Sequence, residues 1–311
     1  MSVIEQAAKR LEQLRRAGID ISDVAEKNAS RGRARNVGEA AVVLATPHAT
    51  EPASAVTNPV ISRHSPAARA YVELDLANLA KVGFVTPDIP RSRIADEFRI
   101  IKRPLIANAS GKTAAPIRNG NLIMVTSAVP GEGKTFSAIN LAMSLAMELD
   151  QTVLLVDADV ARPSLPRVLG LPAGKGLLDA LENKSFNLDD ALIRTNVEKL
   201  TILTSGTAHT NATELLASDA MIRLLDDIAG RHPDRLVIFD SPPLLVTTES
   251  RVLASYMGQI VFVVQAEVTL QSDVKRALAT IEACPVKMIL LNQARTVAQG
   301  GYGYGYGYGY K

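Results

Sequence analysis

Short apolar runs alternate with amphipathic stretches over the C-terminal two thirds of the chain. The apolar runs predict buried strands at residues 122–125, 152–156, 200–203, 236–239, 260–264 and 286–291. Helical periodicity predicts helices at residues 92–106, 135–149, 213–229, 248–257 and 269–283. Continuous apolar strands that alternate with helices are typical of a parallel sheet covered on both faces. We therefore predict an α/β fold with a mostly parallel sheet and helices on both faces.

The N-terminal third has a different pattern. Residues 1–20 are predicted to form an amphipathic helix, with Val3, Ala7, Leu11 and Leu14 on one face and basic residues opposite. Such a helix could dock on a partner or a membrane surface, or it could pack on its own domain. Residues 21–67 are rich in proline and small polar residues, which is typical of a flexible linker. The predicted catalytic domain covers residues 68–292, and residues 293–311 form a flexible tail rich in glycine and tyrosine.

Charge and hydropathy limit the classes of partner. The chain has 34 Lys and Arg against 32 Asp and Glu, so its net charge of +2 does not favour nucleic-acid binding. No apolar run reaches the roughly 18 residues of a membrane span, and the N-terminus lacks an apolar signal core. We therefore expect a cytoplasmic protein without an anchor of its own.

Residues 121–135 have the layout of a phosphate-binding loop between a strand and a helix. Backbone N–H groups of the turn and of the helix N-terminus would converge on an anion. Lys134 would reach the phosphates, and the hydroxyl of Thr135 would hold Mg²⁺. Ala128 stands where the usual motif has its first glycine, so an ordinary strand–helix turn is the alternative interpretation. Asn292 is added from its position after the last strand, and the predicted ATP-binding residues are Pro130, Gly131, Glu132, Gly133, Lys134, Thr135, Phe136 and Asn292.

Three aspartates follow predicted strands. Asp157 and Asp159 end the second strand, and Asp240 ends an apolar strand in the Walker B form. Each one alone could be a helix cap. Together they would repel one another unless a cation lies among them, and Mg²⁺ with a nucleotide supplies that cation. We predict an ATP·Mg²⁺ site with Thr135, Asp157 and Asp240 as metal ligands.

The segment after the second strand reads Asp-Ala-Asp-Val-Ala-Arg-Pro, from Asp157 to Pro163. It resembles the second Walker-like motif of the bacterial tyrosine kinases, an apolar run followed by Asp-x-Asp-x-x-Arg-Pro. The resemblance extends from about Arg91 to the C-terminus and includes residues 128–135 and 239–243. It is closest to the tyrosine autokinases associated with exosortase and exopolysaccharide gene clusters. It implies a P-loop NTPase architecture related to MinD and ParA.

The resemblance also implies an oligomerisation helix with the spacing Glu-x-x-Arg-x-x-Arg. Asp96, Arg99 and Lys102 have this spacing, which would place them side by side on the helix surface. Lys in place of the last Arg lacks the bidentate fork of a guanidinium.

The C-terminal tail corresponds to the tyrosine cluster of this family. Tyrosine alternates with glycine, and the predicted autophosphorylation sites are Tyr302, Tyr304, Tyr306, Tyr308 and Tyr310. Glycine spacers would keep the segment flexible, so that each hydroxyl could enter an active site. If the last strand is parallel to the others, the tail starts beside the phosphate loop. Residues 292–301 would then span at most about 33–36 Å, which is enough to reach a neighbouring subunit.

The resemblance implies a tyrosine autokinase that uses ATP and Mg²⁺ and modifies its own tail in trans. Lys134, Asp157 and Asp159 are the predicted catalytic residues, with Asp159 orienting or deprotonating the tyrosine. A separate membrane-embedded polysaccharide chain-length regulator would activate the kinase and hold it at the inner membrane. A ring-like homo-oligomer, a phosphotyrosine phosphatase as partner and a role in exopolysaccharide polymerisation or export are also implied.

Two other classes remain open. A MinD/ParA-type partitioning ATPase shares the loop and the strand order, but its loop carries Lys-Gly-Gly where this chain has Ala128-Val-Pro. An ATP-binding scaffold without kinase activity would use the tail only for aromatic self-association.

Overall fold

The computed structural model describes residues 70–111, 115–183, 185–232 and 234–294. The predicted N-terminal helix, the linker and the five tail tyrosines lie outside these residues.

The described residues form one eight-stranded sheet with the order β1-β4-β5-β3-β6-β2-β7-β8. The strands are β1 Tyr71–Val72, β2 Leu122–Ser127, β3 Thr152–Asp157, β4 Ile193–Thr195, β5 Leu200–Leu203, β6 Arg235–Asp240, β7 Gln259–Gln265 and β8 Val286–Asn292. Neighbouring strands from β5 to β8 are parallel, whereas β4 pairs with β5 in the antiparallel direction. The predicted, mostly parallel sheet is confirmed.

Helices cover both faces of this sheet. They are α1 Leu76–Lys81, α2 Arg93–Ala109, α3 Lys134–Ala146, α4 Leu165–Leu169, α5 Leu177–Glu182, α6 Ala212–Leu216, α7 Asp219–Arg231, α8 Glu249–Ala254 and α9 Gln271–Ala279. One apolar cluster joins the sheet to α2 and α3, and a second joins the opposite face to α7, α8 and α9. Alternate residues of β2 enter the two clusters, as period-two side-chain alternation requires: Ile123 and Val125 on one face, Leu122 and Met124 on the other.

Several elements differ from the sequence-based prediction. The expected helix at residues 213–229 is two helices, α6 and α7, which are separated at Ser218. The hydroxyl of Ser218 donates to the carbonyl of Leu215 at 2.7 Å, and its extended backbone precedes α7. Serine hydroxyls that bond to nearby carbonyls compete with continuous helix in this way. Strands β1 and β4 were not predicted, because runs of two or three residues carry no periodic signal.

Lys102 does not lie on the exposed surface of α2, so that part of the prediction was wrong. Its side chain is buried, with the residue 4% exposed. Its Nζ donates to the carbonyl of Ser144 at 2.5 Å and lies 2.8 Å from a carboxylate oxygen of Glu148. Ser144 has one of the last carbonyls of α3, which a lysine ammonium stabilises together with the helix dipole. Asp96 and Arg99 do lie at the surface and pair with each other.

None of the helices in the described part of the chain has the length and apolar character needed to span a bilayer.

Candidate active site

The phosphate loop, residues 128–133, connects β2 to α3 at the carboxyl edge of the sheet. Gly131 and Gly133 have φ values of +91° and +92°, which only glycine adopts without strain. Helix α3 begins at Lys134 and is buried along most of its length, which fixes the direction of its N-terminus. Free N–H groups at the start of this helix favour a bound phosphate, as the sequence motif predicts.

Glu132 braces the loop from within. It is only 1% exposed, and its carboxylate accepts hydrogen bonds from the backbone N–H of Val129 at 2.7 Å and from the hydroxyl of Thr269. Its carboxylate is therefore used in contacts within the protein, so the predicted contact of Glu132 with ATP would come from its backbone. The bond to Thr269 connects the loop to the segment that precedes α9.

Asn292 lies against the same loop from the other side. Its Nδ2 donates to the carbonyl of Glu132 at 2.9 Å and lies next to Gly133. The ring of Phe136 packs on Phe84 with 5.0 Å between centroids, so this side chain also has a partner inside the domain. A contact of Asn292 or Phe136 with nucleotide stays a prediction.

Lys134 and Asp159 form an ion pair across the site. The Nζ of Lys134 lies 2.9 Å from Oδ2 of Asp159, and both side chains are largely buried. The second carboxylate oxygen of Asp159 accepts from the backbone N–H of Arg162 at 3.2 Å. The phosphate loop and the predicted second Walker-like segment thus meet at these two residues.

Asp157 and Asp240 lie side by side because β3 and β6 pair with these residues in register. Both residues are fully buried, and one carboxylate oxygen of each, Oδ1, has no hydrogen-bond partner among the described residues. The other oxygen of Asp157 accepts from the N–H groups of Ser164 and Leu165 at 3.1 and 3.0 Å. Burial and the neighbouring Asp240 charge raise the pKa of Asp157 to about 7.

Burial also raises the pKa of Asp240, to about 6, although Lys134 and the hydroxyl of Thr135 oppose the shift. Two buried carboxylates with raised pKa values and unpartnered oxygens favour a cation between them. Magnesium suits this arrangement, since it binds one or two carboxylates and completes its shell with phosphate and water oxygens. The described ranges contain no group of three or more acidic, histidine or cysteine side chains placed to hold a metal.

Ser164 was not predicted, although it lies at the centre of the acidic group. Its hydroxyl lies 2.9 Å from that of Thr135 and 3.5 Å from Oδ2 of Asp240, and its N–H donates to Asp157. The structure therefore brings Lys134, Thr135, Asp157, Asp159 and Asp240 together, and this serine contacts three of them. No sequence signal marks Ser164, because its role depends on the loop after β3 folding back over the carboxylates.

Comparison with known proteins also assigns the chain to the P-loop NTPases. A family model described as "ParA: NUBPL iron-transfer P-loop NTPase" matches residues 118–293. The tyrosine-protein kinase YwqD of Bacillus subtilis is 30% identical over 200 residues, which cover 64% of this chain and 80% of YwqD. The tyrosine-protein kinase Etk of Escherichia coli K12 is 32% identical over 207 residues, or 67% of this chain but only 27% of Etk.

A solved structure, that of the chimerical protein CapA2B2, superposes with a TM-score of 0.57 and 28% identity, covering 71% of this chain and 92% of the other. The tyrosine kinases among these relatives favour the kinase interpretation over a partitioning ATPase or a scaffold. The site adds a phosphate loop that meets paired aspartates on the central strands. The chain belongs to the bacterial tyrosine-protein kinases, within the ParA-type P-loop NTPases.

Proposed function

We propose that this kinase transfers the γ-phosphoryl group of ATP to tyrosine hydroxyls of its own tail. The predicted acceptors are Tyr302, Tyr304, Tyr306, Tyr308 and Tyr310. The observation that carries the proposal is the ion pair between Lys134 and Asp159, beside the unpartnered oxygens of Asp157 and Asp240. It joins the proposed phosphate-binding cation to the carboxylate that we propose acts on the tyrosine hydroxyl.

The ion pair suggests how nucleotide and acceptor are coupled. A phosphate group bound by the loop would compete with Asp159 for the ammonium of Lys134. Transfer of Lys134 to the phosphates would free Oδ2 of Asp159, which would then accept the proton of the attacking tyrosine. A bond forms between the tyrosine oxygen and phosphorus while the bond to ADP breaks. Positioning and electrostatic stabilisation supply most of the catalysis in reactions of this kind.

Thr135, Asp157 and Asp240 would hold Mg²⁺. The ion would neutralise negative charge on the transferring group. Ser164 would position these ligands, since its hydroxyl contacts Thr135 and Asp240 and its N–H donates to Asp157. Because burial raises its pKa to about 7, Asp157 would release a proton when Mg²⁺ binds.

The topology supports modification in trans within a homo-oligomer. Strand β8 is parallel to β7 and ends at Asn292 beside the phosphate loop, so the tail starts at the edge of the active site. The exposed pair Asp96 and Arg99 on α2 would contribute to a ring-like assembly, in which each tail reaches its neighbour. Phosphorylation adds about −1.5 to −2 charges per tyrosine, so modification of several tyrosines would make the tail strongly anionic and repel it from the active-site carboxylates. The ring would then loosen, and a phosphotyrosine phosphatase would restore it.

In the cell, the kinase would be a cytoplasmic protein that is bound at the inner membrane through a polysaccharide chain-length regulator. The cytoplasmic segment of that regulator would activate it, and cycles of tail phosphorylation would control exopolysaccharide polymerisation or export. The basis of this assignment is the resemblance of the motifs to autokinases of exopolysaccharide gene clusters.

The test is a phosphotyrosine assay on purified protein with ATP and Mg²⁺, with and without the regulator's cytoplasmic segment. We expect tail phosphorylation in the wild type and none in Lys134→Met or after deletion of the residues that follow Gly300. Lys275→Met, an exposed change on α9, is the matched control and should behave as wild type. ATP hydrolysis without tail modification would contradict the proposal. An oligomer mass that is unchanged after complete phosphorylation would contradict the loosening of the ring.

A further inference from the structure

A cavity of about 720 Å³ lies at the carboxyl edge of the sheet, where the segments after β3 and β5 face each other. We call it the basic groove, and the residues that define it are Pro163, Arg167, Lys175, Thr204, Ser205 and Gly206. No residue that lines it is acidic. None of the active-site residues named above lines it either.

The cationic side chains of the basic groove have no anionic partner among the described residues. Arg167 is exposed and forms no ion pair or hydrogen bond through its guanidinium there. The Nζ of Lys175 lies 5.4 Å from the ring centre of Phe186, and no carboxylate pairs with it. Asp179, in the wall behind, accepts hydrogen bonds from the N–H groups of Gly176 and Thr207 and from the Thr207 hydroxyl, and it pairs with neither cation. The groove therefore presents two exposed cations without a carboxylate partner among the described residues.

Thr204 lines the groove with a side chain that is only 4% exposed. Its Oγ1 is closed to solvent and has no hydrogen-bond partner in the described part of the chain, so the hydroxyl is not presented to the groove. The wall is tightly built here, because a Cβ atom at Gly206 would overlap Oδ2 of Asp179 and the backbone of Gly176.

The strand order locates the groove relative to the chemistry. The phosphate loop follows β2, Asp159 follows β3, and the groove lies beyond it towards β5 in the order β5-β3-β6-β2. Lys134 reaches from the loop to Asp159. The groove therefore lies next to the segment that carries Asp159, on the side away from the phosphate loop.

The tail carries anionic side chains that can pair with the basic groove only after its tyrosines are phosphorylated. Residues 293–311 contain no Asp or Glu, so the unmodified tail offers these cations no side-chain anion. A phosphotyrosine offers about −1.5 to −2 charges and three strong acceptor oxygens, which suit Arg and Lys. In an extended chain, tyrosines that alternate with glycine lie on one side, roughly 6.4–6.8 Å apart.

We propose that the basic groove binds a phosphotyrosine of the tail. One modified tyrosine would anchor the tail while another tyrosine reaches Asp159, so that the first phosphate promotes the addition of further ones. This inference depends on the proposed function for its source of phosphotyrosine. It adds a product-binding subsite formed by Arg167 and Lys175.

Binding can be measured on the full chain carrying Lys134→Met, which cannot modify itself. Labelled Gly-Tyr-Gly-Tyr-Gly peptides, unmodified or with one phosphotyrosine, are titrated by fluorescence anisotropy. We expect the phosphopeptide to bind about tenfold more tightly or better, and Arg167→Gln with Lys175→Gln to abolish this preference. Arg223→Gln with Lys275→Gln removes the same charge from α7 and α9 and should preserve it. Equal affinity for both peptides would overturn the proposal.

Two further arms test the assignment. Thr204→Val keeps the side-chain shape and should leave phosphopeptide binding unchanged, because the Thr204 hydroxyl is closed to the groove. Inorganic phosphate and ATP are added as competitors. Displacement of the phosphopeptide by an equal concentration of either would show a general anion site and would contradict the assignment to phosphotyrosine.

Intact-mass measurements over time then separate the two proposals. The wild type should accumulate chains with several phosphates while unmodified chains remain, whereas Arg167→Gln with Lys175→Gln should pass through singly modified chains first. Absence of phosphotyrosine in the wild type would refute the proposed function itself. Phosphotyrosine with the same distribution in both proteins would refute only the role of the groove.

Discussion

A Cβ atom at position 133 would overlap Nδ2 of Asn292, the atom that donates to the carbonyl of Glu132. The last strand and the phosphate loop are therefore in contact, and glycine is required at position 133 if the Asn292 amide is to keep its place. The requirement has two separate causes, the left-handed backbone of Gly133 and the close approach of Asn292. Gly131 shares the first cause but has open space around it.

We predict that Gly133→Ala destabilises the protein more than Gly131→Ala. A non-glycine residue in the left-handed region costs about 1–2 kcal/mol at either position, and the collision with Asn292 adds to this at position 133. Thermal unfolding without nucleotide measures the difference, at about 2–4 °C per kcal/mol for a domain of this size. Adding Asn292→Ala to Gly133→Ala should recover part of the loss. Equal losses in the two single variants would contradict the prediction.

Asp157→Asn should stabilise the protein at neutral and higher pH in the absence of Mg²⁺ and nucleotide. Below about pH 4 the carboxyl is protonated in both the folded and the unfolded chain. Between about pH 4 and the folded pKa of about 7, the unfolded chain loses the proton and the folded chain retains it, so stability falls as pH rises. The amide avoids this loss and should gain on the order of 4 kcal/mol at pH 8 but little at pH 4.

Denaturant unfolding at several pH values tests this expectation. Asp226→Asn, an exposed change on α7, should show no such pH dependence. Adding Mg²⁺·ATP should stabilise the wild type more than Asp157→Asn, because the variant lacks one of the proposed metal ligands. A variant that is less stable than the wild type at pH 8 without ligands would show that the buried carboxylate is not a source of instability.

Substitutions of Lys102 and Arg99 should have different effects on the stability of the subunit. Lys102→Met leaves Glu148 and the carbonyl of Ser144 without their buried cation and should cost about 1–3 kcal/mol. Burial by itself would raise the pKa of Glu148, but the hydrogen bond and charge of Lys102 lower it below its usual value. Arg99→Met at the surface should change the stability of the subunit by less than about 0.5 kcal/mol.

Chemical unfolding and sedimentation together measure both effects. If α2 contributes to assembly, Arg99→Met should reduce the oligomer without destabilising the subunit. A loss of assembly in Lys102→Met at unchanged subunit stability would show that Lys102 contributes to the interface between subunits.

Glu132→Ala should destabilise the loop by about 1–3 kcal/mol, because it leaves the N–H of Val129 and the hydroxyl of Thr269 without their acceptor. It should also weaken ADP binding, as measured by calorimetry, since the loop backbone would no longer be held in place. Thr269→Val removes one of the two bonds and should have a smaller effect on both quantities. Glu282→Ala, an exposed change after α9, serves as the control. ADP affinity equal to that of the wild type in Glu132→Ala would exclude a bracing role.

The residues that the sequence identified are those that short-range rules control. Lys134 and Thr135 follow from a strand, a glycine turn and a helix within a single segment, and Asp157 and Asp240 follow from the ends of apolar strands. Parallel strands then bring these groups to one edge without further information.

The residues that were missed or misplaced depend on contacts between distant segments. Ser164 acts only because its loop folds back over Asp157 and Asp240. Thr269 contributes through Glu132, more than a hundred positions earlier in the chain. Lys102 is polar and spaced like an exposed residue, and only the end of α3 explains its burial. Local periodicity contains none of this tertiary information.

The three strands that hold the site, β2, β3 and β6, are adjacent in the middle of the sheet and almost wholly buried. Segments of this kind exchange their amide hydrogens last, since they open only when the whole domain unfolds. The carboxylates are thus attached to the least deformable part of the molecule and would present one geometry to every tyrosine. For the first phosphate that a tail receives, differences in rate among the five tail tyrosines would then depend on their distance along the chain from Asn292.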